Sequence, residues 1–98
     1  MKQKYEHIPT LRGFGFPIQL ATILFTRYIN GKMPVLKQSD IIKLMGISAP
    51  NFYSHLKWNP SQLQERFDSL GISRFKKGKF VYYELDVEQY QSFLFNIK

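Results

Sequence analysis

The spacing of glycine and proline constrains this chain more than any other feature. Pro17, Gly31, Gly46, Pro50, Pro60, Gly71 and Gly78 cut residues 17–98 into short segments. Pro17 sits where the first turn of a helix tolerates proline, because that amide has no intrahelical acceptor anyway. Ile18, Ala21, Phe25 and Tyr28, with Leu20 and Leu24 beside them, then recur at helical spacing through Asn30. Gly31 is a natural stop, since glycine takes a positive φ without penalty. Pro60 marks another break, because proline disfavours helical geometry in the residue before it, here Asn59.

The segments between these breaks read in order. Pro34-Val35-Leu36 supplies a short extended piece. Ser39 is a good N-cap for a helix over 40–45, with Asp40 favoured in the first turn by the helix dipole. Gly46 ends it. Ser48 is the next N-cap, and Ala49-Pro50 opens a third helix with Phe52 and Leu56 on one face, which gives the spacing of a helix-turn-helix. Both Phe52 and Trp58 are expected in the core. A fourth helix over 61–70 carries Leu63, Phe67 and Leu70. Aromatic and β-branched residues on either side of Lys77-Gly78 predict a hairpin of 72–76 and 79–85. A last helix over 86–98 starts at Asp86, with Gln89 completing a capping box and Val87, Tyr90, Phe93, Leu94 and Ile97 as its apolar stripe. Residues 1–16 read as irregular, the rings of Gly13-Phe14-Gly15-Phe16 covering the first helix.

Ninety-eight residues, 44% hydrophobic and 16% aromatic, suit one domain with its own core. Cysteine is absent, which removes disulfides, thiolate metal sites and cysteine nucleophiles and fits a cytoplasmic location. Two histidines far apart, His7 and His55, make a poor metal site, and no cofactor is expected. Ser54 and His55 are adjacent on a helix and face different directions, so no nucleophile–base pair arises and no catalytic set is found. No signal-peptide pattern opens the sequence, and the apolar stretch from Ile18 to Ile29 falls short of the roughly 20 residues a membrane span needs. Fourteen Lys and Arg against seven Asp and Glu leave a net charge of +7, the balance of a domain that meets a polyanion.

Two stretches carry a family likeness. Gly46-Ile47-Ser48-Ala49-Pro50-Asn51-Phe52-Tyr53-Ser54-His55-Leu56 resembles the turn and recognition helix of bacterial winged helix-turn-helix regulators. Leu70-Gly71-Ile72 with Lys76-Lys77-Gly78-Lys79-Phe80-Val81-Tyr82-Tyr83-Glu84-Leu85 resembles their wing. The likeness implies an α+β, mainly helical fold over residues 1–98: a winged helix-turn-helix with a two-stranded β wing and a C-terminal helix. One departure stands out, an additional helix between the third helix and the wing. The recognition element is therefore either 49–57 or 61–70. Charge favours the earlier, which carries Lys57 and no acid, while Glu65 and Asp68 of the later would repel phosphate.

The hairpin places Arg74, Lys76, Lys77 and Lys79 within six positions, with no acid between Asp68 and Glu84. These four and Lys57 are the expected phosphate contacts, forming one basic surface with the third helix. Asn51 and Ser54 are expected near bases or phosphates, and Tyr53 and Tyr82 as rings on which bases stack. Val81, Tyr83 and Leu85 alternate with Phe80 and Tyr82, so at least one aromatic set cannot pack on a small core. Groove-reading side chains are scarce, which favours sequence-tolerant DNA binding that includes single strands. The chain is also similar in size, basicity and pattern to small winged-helix accessory proteins that work with replication proteins on bacterial mobile elements. That similarity implies a replication role. Two alternatives stay open: a sequence-specific regulator, homodimeric through Phe93, Leu94, Phe95 and Ile97 of the last helix, and an adaptor subunit of a larger DNA-processing enzyme.

Overall fold

The computed structural model describes residues 15–96, which form an α+β arrangement dominated by helices. In chain order these are α1 (Gly15–Ile29), β1 (Val35–Lys37), α2 (Gln38–Met45), α3 (Ala49–Trp58), α4 (Pro60–Leu70), β2 (Ile72–Lys77), β3 (Phe80–Leu85) and α5 (Val87–Phe95). The strands make one antiparallel sheet in the order β1-β3-β2. The hairpin expected as a two-stranded unit is thus joined by a third strand. Val35, Leu36 and Lys37 pair with Glu84, Tyr83 and Tyr82, and the amide of Leu85 donates to the carbonyl of Pro34 at 2.9 Å.

Each apolar stripe finds a partner in one core. Leu20, Ala21 and Leu24 of α1 meet Ile41, Phe52, Phe67 and Leu70 from the next three helices, with Ile72, Tyr83 and Leu85 of the sheet and Tyr90 of α5. Tyr83 is the hub: its ring stands edge-on to Phe52 and to Phe67, both at 6.2 Å, geometries that suit the ring quadrupole. No helix among the described residues is long and apolar enough to cross a membrane.

Several boundaries differ from those the sequence suggests, each for a local or long-range reason. α1 begins at Gly15, so Gly15 and Phe16 are helical, and the Phe16 ring lies against Phe52 and His55 of α3. The rest of the segment read as irregular, residues 1–14, and Ile97 and Lys98 of the last helix lie outside the described residues. Ser39 does not cap α2. Strand β1 runs straight into the helix, the extended Lys37 takes the N-cap position, and it makes no side-chain cap bond. Ser48 and Asn59 do cap, accepting from the amides of Asn51 and Gln62, each at 3.2 Å. In the hairpin Lys77 pairs with Phe80, so the turn is Gly78-Lys79, one residue later than the sequence suggests. Gly78 has φ +65° and Lys79 stays out of the left-handed region, the sign pattern of a type II′ turn.

Asp86 caps α5 by accepting from the amide of Gln89 at 3.1 Å, but the capping box is only half made. The Gln89 side chain turns instead to the C-terminus of α4, donating to the carbonyl of Asp68. Gly71 makes this junction close. Its φ is +82°, and a Cβ there would lie 2.9 Å from the backbone oxygen of Asp86. The stripe of α5 is also narrower than expected, because Tyr90 is buried while Leu94 stays 42% exposed.

Candidate nucleic-acid interface

Strand alternation divides the hairpin cations between two faces. Arg74 lies opposite Tyr83 and Lys76 opposite Val81, on the side of the sheet that carries the core. Lys77 lies opposite Phe80 and Phe75 opposite Tyr82, on the other side. Lys79 sits in the turn between them. The single basic surface expected from sequence therefore does not form: a period of two residues cannot point Lys76 and Lys77 the same way.

On the inner face a chain of hydrogen bonds fixes Arg74. Its Nε–H donates to the Tyr83 hydroxyl at 3.0 Å, and that hydroxyl donates to Gln38 Oε1 at 2.9 Å. Gln38 Nε2 donates onward to the Tyr53 hydroxyl at 3.3 Å. Two helices, α2 and α3, and both strands of the hairpin are thereby linked through side chains alone, and bonds in such a series polarise one another. One of the five N–H groups of the guanidinium is used on Tyr83, and Arg74 stays exposed, so the rest of its fork can reach a phosphate. Burial pushes the Tyr83 hydroxyl above its ordinary value of 10.0, against the pull of the Arg74 charge and hydrogen bond. It is a protonated donor at neutral pH.

Helix α3 presents two exposed stripes, because Phe52 and Leu56 turn toward the core. Tyr53 reaches toward the inner face of the hairpin through the Gln38 bond, and Lys57 lies one turn further along the same stripe. Asn51, Ser54 and Trp58 occupy the stripe that faces away from the core. Trp58 is 73% exposed and so is not a core residue. At about 100° per residue it falls roughly 120° from Phe52, so helical spacing by itself separates the two. His55 stacks on Phe16 at 4.7 Å and 8°, and with Trp58, Leu63 and Arg66 it lines an open cleft of about 240 Å³.

On the outer face the register builds transverse rows. Lys37, Tyr82 and Phe75 form one row across all three strands, and Phe80 and Lys77 form the next toward the turn. The Phe75 and Tyr82 rings stack at 5.6 Å and 12°, and Lys37 Nζ lies 4.7 Å from the centre of the Phe80 ring. Phe75 and Phe80 remain 39% and 48% exposed. The third row, toward the base of the hairpin, holds Val35, Glu84 and Ser73.

Of the residues expected at the site, Tyr53 and Arg74 are linked by the inner network, Lys76 shares the sheet face of Arg74, and Lys57 shares the helix stripe of Tyr53. Tyr82 and Lys77 lie on the opposite face. Asn51 and Ser54 share the outward stripe of α3. Lys37 and Gln38 escape sequence reasoning, since nothing local shows that β1 joins the sheet. Comparison of the chain with family models, with curated proteins and with solved structures found no match.

Proposed function

We propose that this chain is a non-catalytic, sequence-tolerant DNA-binding protein of the winged helix-turn-helix type. One observation carries the reading: the Arg74–Tyr83–Gln38–Tyr53 chain of hydrogen bonds, which holds a cationic hairpin at the flank of an exposed helix. The element order supports it too, with β1 before the helix-turn-helix of α2 and α3 and the β2–β3 hairpin after them. Here α4 is an insertion, packed against α1 and α5, and α3 is the recognition helix because its Tyr53 reaches the hairpin network. Arg74, Lys76 and Lys57 contact phosphates, Ser54 and Asn51 contact phosphates or base edges, and Tyr53 fixes the angle between helix and wing.

A salt series on a labelled random duplex tests this. Log affinity should fall linearly with log salt, by about 0.9 for each neutralised phosphate. Arg74→Gln with Lys76→Gln should weaken all duplex sequences alike and flatten that slope by about two. An unchanged slope removes the inner face from the interface. A homodimeric regulator is the second reading, supported by Leu94 and Phe95, which are 42% and 83% exposed at the end of α5. Sedimentation showing a dimer, with preference for a palindromic site, would favour it.

A further inference from the structure

The outer face of the sheet is unused by the inner network, and none of the described helices covers it. Those helices pack on the side of Leu36, Ile72, Tyr83 and Leu85. An exposed face of a small sheet is normally polar, yet two of its three rows carry aromatic rings. A stacked cross-strand pair such as Phe75 and Tyr82 contributes to hairpin stability. That role does not account for Phe80, half exposed beside the turn, nor for Lys37 seated over its ring. The charge is polarised as well: Lys37, Lys77 and Lys79 surround the rings, while Glu84 lies in the row farthest from the turn.

We propose that this outer face is a second subsite, selective for single-stranded DNA, in which Tyr82, Phe75 and Phe80 stack on unpaired bases and Lys37 and Lys77 neutralise the phosphates. The inference rests on the DNA-binding reading and adds to it a strand type and a location. Ring stacking needs a base with an open π-face, which a single strand offers and a duplex conceals in its own stack. Duplex readout in the major groove uses Arg, Lys, Asn or Gln against base edges; this face has no Arg, Asn or Gln, and of its two strand lysines Lys37 is seated over the Phe80 ring. An acidic peptide would use the lysines and leave the rings without a task. The inner face, rich in fixed cation and poor in free rings, takes the duplex backbone, and Lys79 in the turn is shared by both.

The test compares poly-dT with a random duplex by fluorescence anisotropy, using the full chain. Phe75→Leu with Tyr82→Leu keeps apolar bulk on the strands and removes the π-faces. Poly-dT affinity should fall by at least about tenfold while duplex affinity stays within about twofold. Equal losses on both ligands, or none on poly-dT, overturn the proposal. Should circular dichroism show the double variant unfolded, Lys77→Gln provides the second reading. It should flatten the poly-dT salt slope by about 0.7 and leave the duplex slope unchanged, and the reverse pattern overturns the proposal. Wild-type protein that binds duplex but not poly-dT defeats the outer subsite alone, whereas binding to neither defeats the DNA-binding reading with it.

Discussion

The two faces of one hairpin are built on opposite logics. On the inner face Tyr83 is fully buried, wedged against Phe52 and Phe67, and its hydroxyl holds Arg74. On the outer face Phe75 and Tyr82 stack on each other, and Lys37 rests over Phe80. The same alternation that sends one set of rings into the core leaves the next set in water. The inner face therefore owes its geometry to the whole fold, and the outer face to the sheet alone. Fixed geometry suits a duplex whose backbone is itself stiff, while loosely held rings suit a strand that adapts.

The largest expected difference is in stability. Tyr83→Ala removes a buried ring together with the anchor of Arg74 and should cost about 3–5 kcal/mol, the range for deleting a core aromatic. Phe75→Ala, on the same hairpin and next in sequence to Arg74, the cross-strand partner of Tyr83, loses only a cross-strand ring pair and should cost less than about 1 kcal/mol. Urea midpoints of the two variants test the comparison directly. Similar losses would mean that the outer rings belong to the core after all.

A substitution at the base should break both faces alike. Gly71→Ala asks an alanine to adopt φ +82° and brings its Cβ to 2.9 Å from the Asp86 carbonyl oxygen. A strained left-handed residue costs on the order of 1–3 kcal/mol, and the junction of α4, β2 and α5 must shift as well. Thermal unfolding should show that loss, and duplex and poly-dT binding should decline together. A selective decline would show that one face tolerates movement of the hairpin root.

Smaller still is the effect of cutting one link of the inner network. Gln38→Ala removes the bridge between Tyr83 and Tyr53 and should cost about 1 kcal/mol, the net value of such hydrogen bonds. Duplex affinity should drop a few-fold as Arg74 loses its fixed direction, with poly-dT affinity unchanged. Loss on poly-dT instead would place the single strand on the inner face.

How much of this was legible in the sequence depends on how local the cause is. Gly46 and Ser48 mark the turn before α3 because a left-handed C-cap and a side-chain N-cap are decided within a few residues. The same holds for Asn59, Gly71 and Asp86. Ser39 failed as a cap because Lys37 is committed to Tyr82, a pairing across distant sequence that no local preference reveals. For that reason Lys37 and Gln38 were missing from the expected site, although each supplies a decisive contact. The split of the hairpin cations, by contrast, was already present in the alternation that sorted Val81 and Tyr83 from Phe80 and Tyr82. Applied to Arg74, Lys76 and Lys77, it separates the last from the first two. The exposure of Trp58 was equally present in its angular distance from Phe52.

The smallest effect probes the inner face through protons. Burial holds the Tyr83 hydroxyl above 10.0, so between that value and its folded-state value the unfolded chain releases this proton first. Below pH 10 both states keep the proton and the term is silent. As pH rises through this window the folded state binds more protons than the unfolded one, and stability must fall. Other tyrosines and the lysines titrate nearby, so the signal is the difference between wild type and Tyr83→Phe in urea midpoints measured from pH 9 upward. The variant should start less stable, having lost the bonds to Arg74 and Gln38, and should decline less steeply with pH. Parallel curves would mean that the hydroxyl ionises as freely in the fold as in water, and the inner network would then lack the buried proton donor that holds Arg74 in place.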